Sequence, residues 1–179
     1  MSGHPGVVLT GGGSRRMGSD KAFVLVDGRP MAIAVADALW EAGCHPVECQ
    51  GGDLPGLASL GLDGFADEHP DAGPVDAIRT ASARHDSPIV AVACDLPYLD
   101  AATVSAVIEA GSREQRLAVA TADGHHHLVV YVPPDAVASE AVGASVRAWV
   151  SGAIDVPVDP AVIRNINTPD DLRRDDPGR

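Results

Sequence analysis

Short aliphatic runs and helix signals take turns along the first 110 residues of this 179-residue chain, and that alternation narrows the possible folds more than any other feature. Val7-Val8-Leu9, Val47-Glu48-Cys49-Gln50 and Ile89 to Cys94 read as strands, the last a continuous apolar run suited to a central position. Pro30 opens and Gly43 closes a segment from Met31 to Ala42, the boundary signals of a helix. Gly73-Pro74 precedes a second helix, Val75 to about Arg84, and a third is expected from Ala101 to Ala110, stopped by Gly111. Strands separated by helices are joined by crossovers and lie parallel, with helices on both faces of the sheet. Composition agrees: 45% of residues are apolar but only 3% aromatic, so Val, Ala, Leu and Ile fill the core, as in parallel strands buried on both faces. The expected class is α/β with a mostly parallel central sheet.

Beyond residue 110, Leu117 to Thr121 and Leu128 to Val132 read as further strands, and Ala136 to Val150 as a helix interrupted by Gly143. Ala22 to Val26 is an apolar run ending at the turn signal Asp27-Gly28, and Asp53 to Asp63 reads as loop. In such folds ligands sit at the carboxyl ends of the strands. The glycine loop after the first strand, Asp67, and Asp95 after the central strand are therefore expected along one edge.

The loop after Leu9 is unusual. Within Gly11 to Lys21 the chain places Gly11, Gly12, Gly13, Arg15, Arg16, Gly18 and Lys21. Glycine lets backbone approach a ligand closely, and successive free N–H groups hold an anion. Arg16 would add a forked cation and Lys21 a point charge. Gly13 and Gly18 have Walker spacing but are followed by Ser19-Asp20-Lys21, and Gly11-Gly12-Gly13 lacks the last glycine of a dinucleotide fingerprint, so neither motif applies.

The whole chain carries a formal charge of −12, against which the cluster Arg15, Arg16, Lys21 stands out. That acidity argues against nucleic acid or an anionic membrane as partner. Cys44, Cys49 and Cys94 have neither even number nor Cys-x-x-Cys spacing, so reduced buried thiols are expected. With no secretory pattern at the N-terminus and no apolar run of spanning length, a soluble cytoplasmic protein is expected. The adjacent His125-His126-His127 would alternate faces on a strand and lack partner spacing, which favours a solvated or pocket-edge role over a metal site. Asp95, leaving the central strand as Cys94-Asp95-Leu96-Pro97, is the candidate metal ligand, since magnesium takes one or two carboxylates and completes its shell with water and phosphates.

The run Leu9 to Ala22 resembles the nucleotide-binding signature of the MobA family of molybdenum cofactor guanylyltransferases, Leu-x-Gly-Gly-x-Ser-x-Arg-Met-Gly-x-Asp-Lys-Ala. Three further segments are similar to that family: Cys94-Asp95-Leu96-Pro97, Asp67 ahead of Gly73-Pro74, and Asn165-Ile166-Asn167-Thr168-Pro169. The resemblance implies a three-layer, Rossmann-like nucleotidyltransferase fold in one domain over 1–179, with a nucleotide half at about 6–110 and an acceptor half at about 111–174; the tail at 175–179, charged and with Pro and Gly, is expected to be disordered on its composition. It implies that Leu9, Thr10, Gly11, Gly12, Lys21, Asp67 and Asp95 bind nucleotide, with Asp71 close enough to Asp67 to keep open. Lys21, Asp95 and Arg16 would be catalytic, Asp95 would hold Mg2+, and Asn165 and Asn167 would contact the acceptor. The implied reaction moves GMP from GTP to molybdopterin and releases pyrophosphate. Alternatives are CTP or another phosphorylated acceptor, or a nucleotide-binding partner protein without catalysis; other molybdenum cofactor biosynthesis proteins are further possible partners.

The chain departs from the family pattern in three places. Val75-Asp76-Ala77 replaces Leu-Ala-Gly, putting an acid where a triphosphate is expected nearby. Cys49 or Gln50 stands where an asparagine is common, and the segment from Tyr131 to Asn165 is short. Thr168 as N-cap with Pro169 in the first turn also reads as a plain helix start.

Overall fold

The computed structural model describes residues 3–11, 20–69, 72–137, 143–167 and 171. One sheet of seven strands runs in the order β5-β4-β1-β6-β8-β7-β9. These are β1 (Gly6–Leu9), β4 (Val47–Gln50), β5 (Gly64–Phe65), β6 (Ile89–Ala93), β7 (Ala118–Ala122), β8 (His125–Val132) and β9 (Ile154–Pro157). β5, β4, β1 and β6 are mutually parallel, with Val8 opposite both Cys49 and Val92. β8 is antiparallel to both β6 and β7, and β9 pairs parallel to β7. The sheet is thus mostly parallel, as the alternation predicted.

Alternate residues of each strand feed two separate cores. Val8, Val90 and Val92 point to a core shared with α1 (Met31–Glu41) and α4 (Ala101–Glu114). Val7, Leu9, Ile89 and Ala91 point to a second core with α3 (Pro74–Ala83) and α5 (Val146–Trp149). Period-two alternation with both faces apolar requires helices on both sides.

Boundary chemistry sets the helix starts. Pro30 precedes α1 and Pro74 is the first residue of α3. Asp100 caps α4 by accepting from Thr103 N at 2.8 Å. Asp53 accepts from Gly56 N at 3.2 Å and starts α2 (Leu54–Ser59) inside the stretch expected to be loop. Such an aspartate satisfies one orphan donor of the first turn, enough to stabilise a short helix against a weak pattern.

Two other expectations need correction. α4 does not stop at Gly111 but runs to Glu114 and ends on Gln115 in the left-handed region, φ 52°. The helix expected over Ala136 to Val150 reduces, among the described residues, to a 3₁₀ turn at Pro134–Ala136, the short α5, and a 3₁₀ turn at Val150–Gly152. Ala22 to Val26 is a 3₁₀ turn at Lys21–Phe23 followed by β2 (Leu25–Val26), which forms a hairpin with β3 (Arg29–Pro30). Positive φ at both Asp27 and Gly28 matches the primed turns that suit a hairpin's twist.

Candidate active site

Because β1, β4, β5 and β6 are parallel, their carboxyl ends share one edge. That edge gathers Thr10 and Gly11 after β1, Gly51 after β4, Asp67 after β5 and Asp95 after β6. Thr10 and Gly11 are tied down here: both amides donate to Gln50 O, at 3.0 and 2.9 Å, and the Thr10 hydroxyl donates to the carbonyls of Gln50 and Gly51. Their own N–H groups are therefore engaged with β4 and its exit. Gly51 faces Gly11 so closely that a Cβ on Gly51 would lie 2.9 Å from Gly11 Cα, and its φ is +74°. Only glycine fits that position.

Asp67 borders the same point. Its Oδ2 lies 3.8 Å from where a Cβ on Gly11 would be, and its Oδ1 accepts from His69 N at 3.2 Å. Leu9 is buried and accepts from Cys94 N through its carbonyl, linking β1 to the residue before Asp95. Gly12 and Arg16 lie outside the described residues, as do Asp71, Thr168 and Pro169.

Lys21 and Asp95 meet although 74 residues separate them. Lys21 Nζ is 3.4 Å from Asp95 Oδ2 and donates to Asn167 Oδ1 at 2.6 Å. Asn165 Nδ2 donates to Asp95 Oδ1 at 2.9 Å, and Ile166 N donates to Asp95 O at 2.9 Å. Four predicted site residues thus form one network, two of them from the far end of the chain. Ile163 and Ile166, both fully buried, bring the segment there by packing into the α1/α4 core. Lys21 and Asp95 each keep about a fifth of the side chain exposed, so both charges remain reachable by a ligand.

Asp20, which carries no role in the sequence reading, orders this corner. Its Oδ1 accepts from Ala22 N at 3.1 Å and its Oδ2 accepts from Asp53 N at 3.2 Å. It caps the 3₁₀ turn that begins with Lys21 and ties that turn to the start of α2. The available signal was an aspartate directly before a short helical run, which is a cap pattern. Of the two residues at the asparagine position, Cys49 packs in the α1/α4 core. Gln50 is 1% exposed, and neither polar atom of its side chain has a partner among the described residues.

Asp76 does not line a phosphate-binding wall. Its carboxylate is 1% exposed, pairs with Arg79 one turn on, and accepts from Gly143 N at 2.8 Å. The acid that looked out of place joins α3 to the residues leading into α5. Burial pushes the Cys94 thiol up, with further contributions from Cys49, Asp95 and Asp20 opposed by Lys21, so Cys94 adds no charge beside Asp95. His126 lies on β8 with Nε2 2.9 Å from Asp155 Oδ1 on β9. No group of three or more His, Cys, Asp or Glu suited to a metal occurs among the described residues.

A rim of this kind, with one lysine, one strand-end carboxylate and tightly apposed glycines, suits a phosphorylated nucleotide. Known proteins point the same way. The chain is 32% identical to a molybdenum cofactor guanylyltransferase from Cereibacter sphaeroides over 183 residues, covering 94% of this chain and 93% of that one. It is 38% identical over 105 residues to the molybdenum cofactor guanylyltransferase of Xanthomonas euvesicatoria, a match to 58% of this chain and 52% of the relative. Its fold matches that of molybdopterin-guanine dinucleotide biosynthesis protein A from Archaeoglobus fulgidus, with a TM-score of 0.75 at 24% identity and 95% of each chain covered. The profile of the MobA-like NTP transferase domain extends over residues 6–165, so it takes in the glycine loop, Lys21, Asp67, Asp95 and Asn165 together. With its sheet order, its rim and its sequence in agreement, this chain belongs to the MobA-like NTP transferase family of nucleotidyltransferases.

Proposed function

We propose that this nucleotidyltransferase moves a guanylyl group from GTP to the terminal phosphate of molybdopterin, with or without bound molybdenum, and releases pyrophosphate. The observation that carries the reading is the Lys21–Asp95–Asn165–Asn167 network at the carboxyl edge of the sheet. An oxygen of the acceptor phosphate forms a bond to the α-phosphorus of GTP, and the bond from that phosphorus to the β-phosphate oxygen breaks. The attacking oxygen is already anionic, so no general base is required. The protein's task is positioning and charge neutralisation. Lys21 leaves its carboxylate and amide partners to hold the triphosphate and the departing pyrophosphate, and Arg16 adds a second cation to the same loop. Leu9, Thr10, Gly11 and Gly12 shape the path of the triphosphate, and Asp67 borders it. Asn165 and Asn167 contact the acceptor.

Asp95 fits Mg2+: a partly exposed carboxylate at a strand end, one oxygen held by an amide and the other only 3.4 Å from an ammonium that a phosphate would draw away. A lone carboxylate rather than a cluster of ligands is the arrangement magnesium takes when substrate phosphates and water complete its shell. When bound there, the ion supplies neutralisation of phosphate charge. Action in the cytoplasm belongs to the same proposal. Among the described residues no helix is long and apolar enough to cross a membrane.

The test is pyrophosphate release from GTP with Mg2+ and molybdopterin, run beside CTP. Release that needs both GTP and molybdopterin supports the reading. Equal or greater release with CTP would move the assignment to a cytidylyl transfer, and GTP binding without release would leave a nucleotide-binding partner protein.

A further inference from the structure

We propose that Asn165 is a positioning residue for Asp95, fixing the carboxylate so that it receives a divalent cation in one orientation. The inference rests on the reading of Asp95 as the metal-holding group. Asp95 is gripped twice by two adjacent residues: Asn165 Nδ2 donates to Oδ1 and Ile166 N donates to the Asp95 carbonyl, both at 2.9 Å. Ile166 is fully buried, so this grip is anchored in the core rather than in a free loop. The second carboxylate oxygen is treated differently. Oδ2 faces Lys21 at 3.4 Å, longer than an ordinary charge-assisted hydrogen bond, while the same Nζ makes a 2.6 Å bond to Asn167.

The two contacts therefore have separate fates when nucleotide arrives. Lys21 moves to phosphate and releases Oδ2, whereas Asn165 has no charge to be drawn away and keeps Oδ1. A neutral amide orients a carboxylate without cancelling its charge, which a lysine or arginine at 165 would do. Partners that orient a ligating carboxylate typically contribute about ten- to hundredfold in metal affinity. Asn165 then serves the metal through Nδ2, in addition to any contact its Oδ1 makes with an acceptor.

The experiment is Mn2+ titration of the full-length protein followed by the electron paramagnetic resonance of the free ion, with GTP present, for wild type, Asn165→Leu, Asn165→Ala and Asp95→Asn. Leucine keeps the volume and removes the donor, and alanine serves if leucine does not fold. GTP affinity in EDTA is measured on the same variants. The expected result is Mn2+ binding about ten- to hundredfold weaker in the Asn165 variant, with GTP affinity in EDTA unchanged. Wild-type Mn2+ affinity in the Asn165 variant, with binding lost in Asp95→Asn, overturns the positioning role and leaves the reading of Asp95 intact. Mn2+ binding retained in Asp95→Asn overturns that reading, and this inference with it. A raised acceptor KM with an unaltered Mn2+ titration would overturn the positioning role and assign Asn165 to the acceptor alone.

Discussion

Lys21 has two partners of unequal strength, and the weaker one is the charged one. A partly exposed ion pair at 3.4 Å contributes little to stability. Removing either member should therefore act on turnover and not on folding. Lys21→Ala and Asp95→Ala are each expected to lower pyrophosphate release about a hundredfold or more, the scale of losing one electrostatic stabiliser, with melting temperatures near wild type. Asp76 is the opposite case. Asp76→Ala removes the buried acceptor for Gly143 N and the carboxylate facing Arg79. A stability loss of about 1–3 kcal/mol is expected from the unsatisfied donors left behind, read as a shift in urea midpoint. A wild-type midpoint would show that the Asp76 link contributes nothing.

Between elements, the sign of a substitution is decided by the neighbour. Gly111 lies inside α4 against β8, where a Cβ would run into the Tyr131 ring. On helix propensity alone, Gly→Ala would stabilise by about 1 kcal/mol. Here the ring belongs to a fully buried side chain in the middle of the sheet and has no room to yield. Gly111→Ala is expected to destabilise by about 1–3 kcal/mol through overpacking, and Gly111→Ala with Tyr131→Leu to recover part of the loss in the same denaturant measurement. The close approach also explains why Gly111 is no helix stop: its lack of a side chain lets α4 lie against β8, and the left-handed residue that ends the helix comes at Gln115.

Across the whole molecule, the buried thiols, Cys94 among them, make stability depend on alkaline pH. Burial pushes Cys44 and Cys49 from 9.0 up to about 12. In the unfolded chain these thiols ionise near pH 9, whereas the folded chain keeps them neutral. The native state then holds more protons than the unfolded one, and stability falls as pH rises from about 9 toward 12. The slope is at most about 1.4 kcal/mol per pH unit for each thiol. Thermal melts between about pH 8 and 10.5 should show that decline, and Cys49→Ala should flatten it. The native thiols should also resist iodoacetamide at about pH 8, since the thiolate is the reactive form.

The layered α/β architecture was legible in the chain itself, because aliphatic runs such as Ile89 to Cys94 and the proline and glycine boundaries of α1 and α3 are local chemistry. The Leu9–Lys21 loop, Asp67 and Asp95 could likewise be assigned to one edge, since parallel strands share a carboxyl end, whereas the two asparagines were added only by the resemblance of Asn165-Ile166-Asn167-Thr168-Pro169 to the family motif. Which of them touch was settled by long-range packing. That Asn165 holds Asp95 depends on Ile163 and Ile166 finding the core, and that Asp76 turns away from the phosphate wall depends on Gly143 lying over α3. The antiparallel run of β8 and the short strands β5 and β9 were equally closed to local reading, because strand direction and pairing at a sheet edge are set by partners distant in sequence.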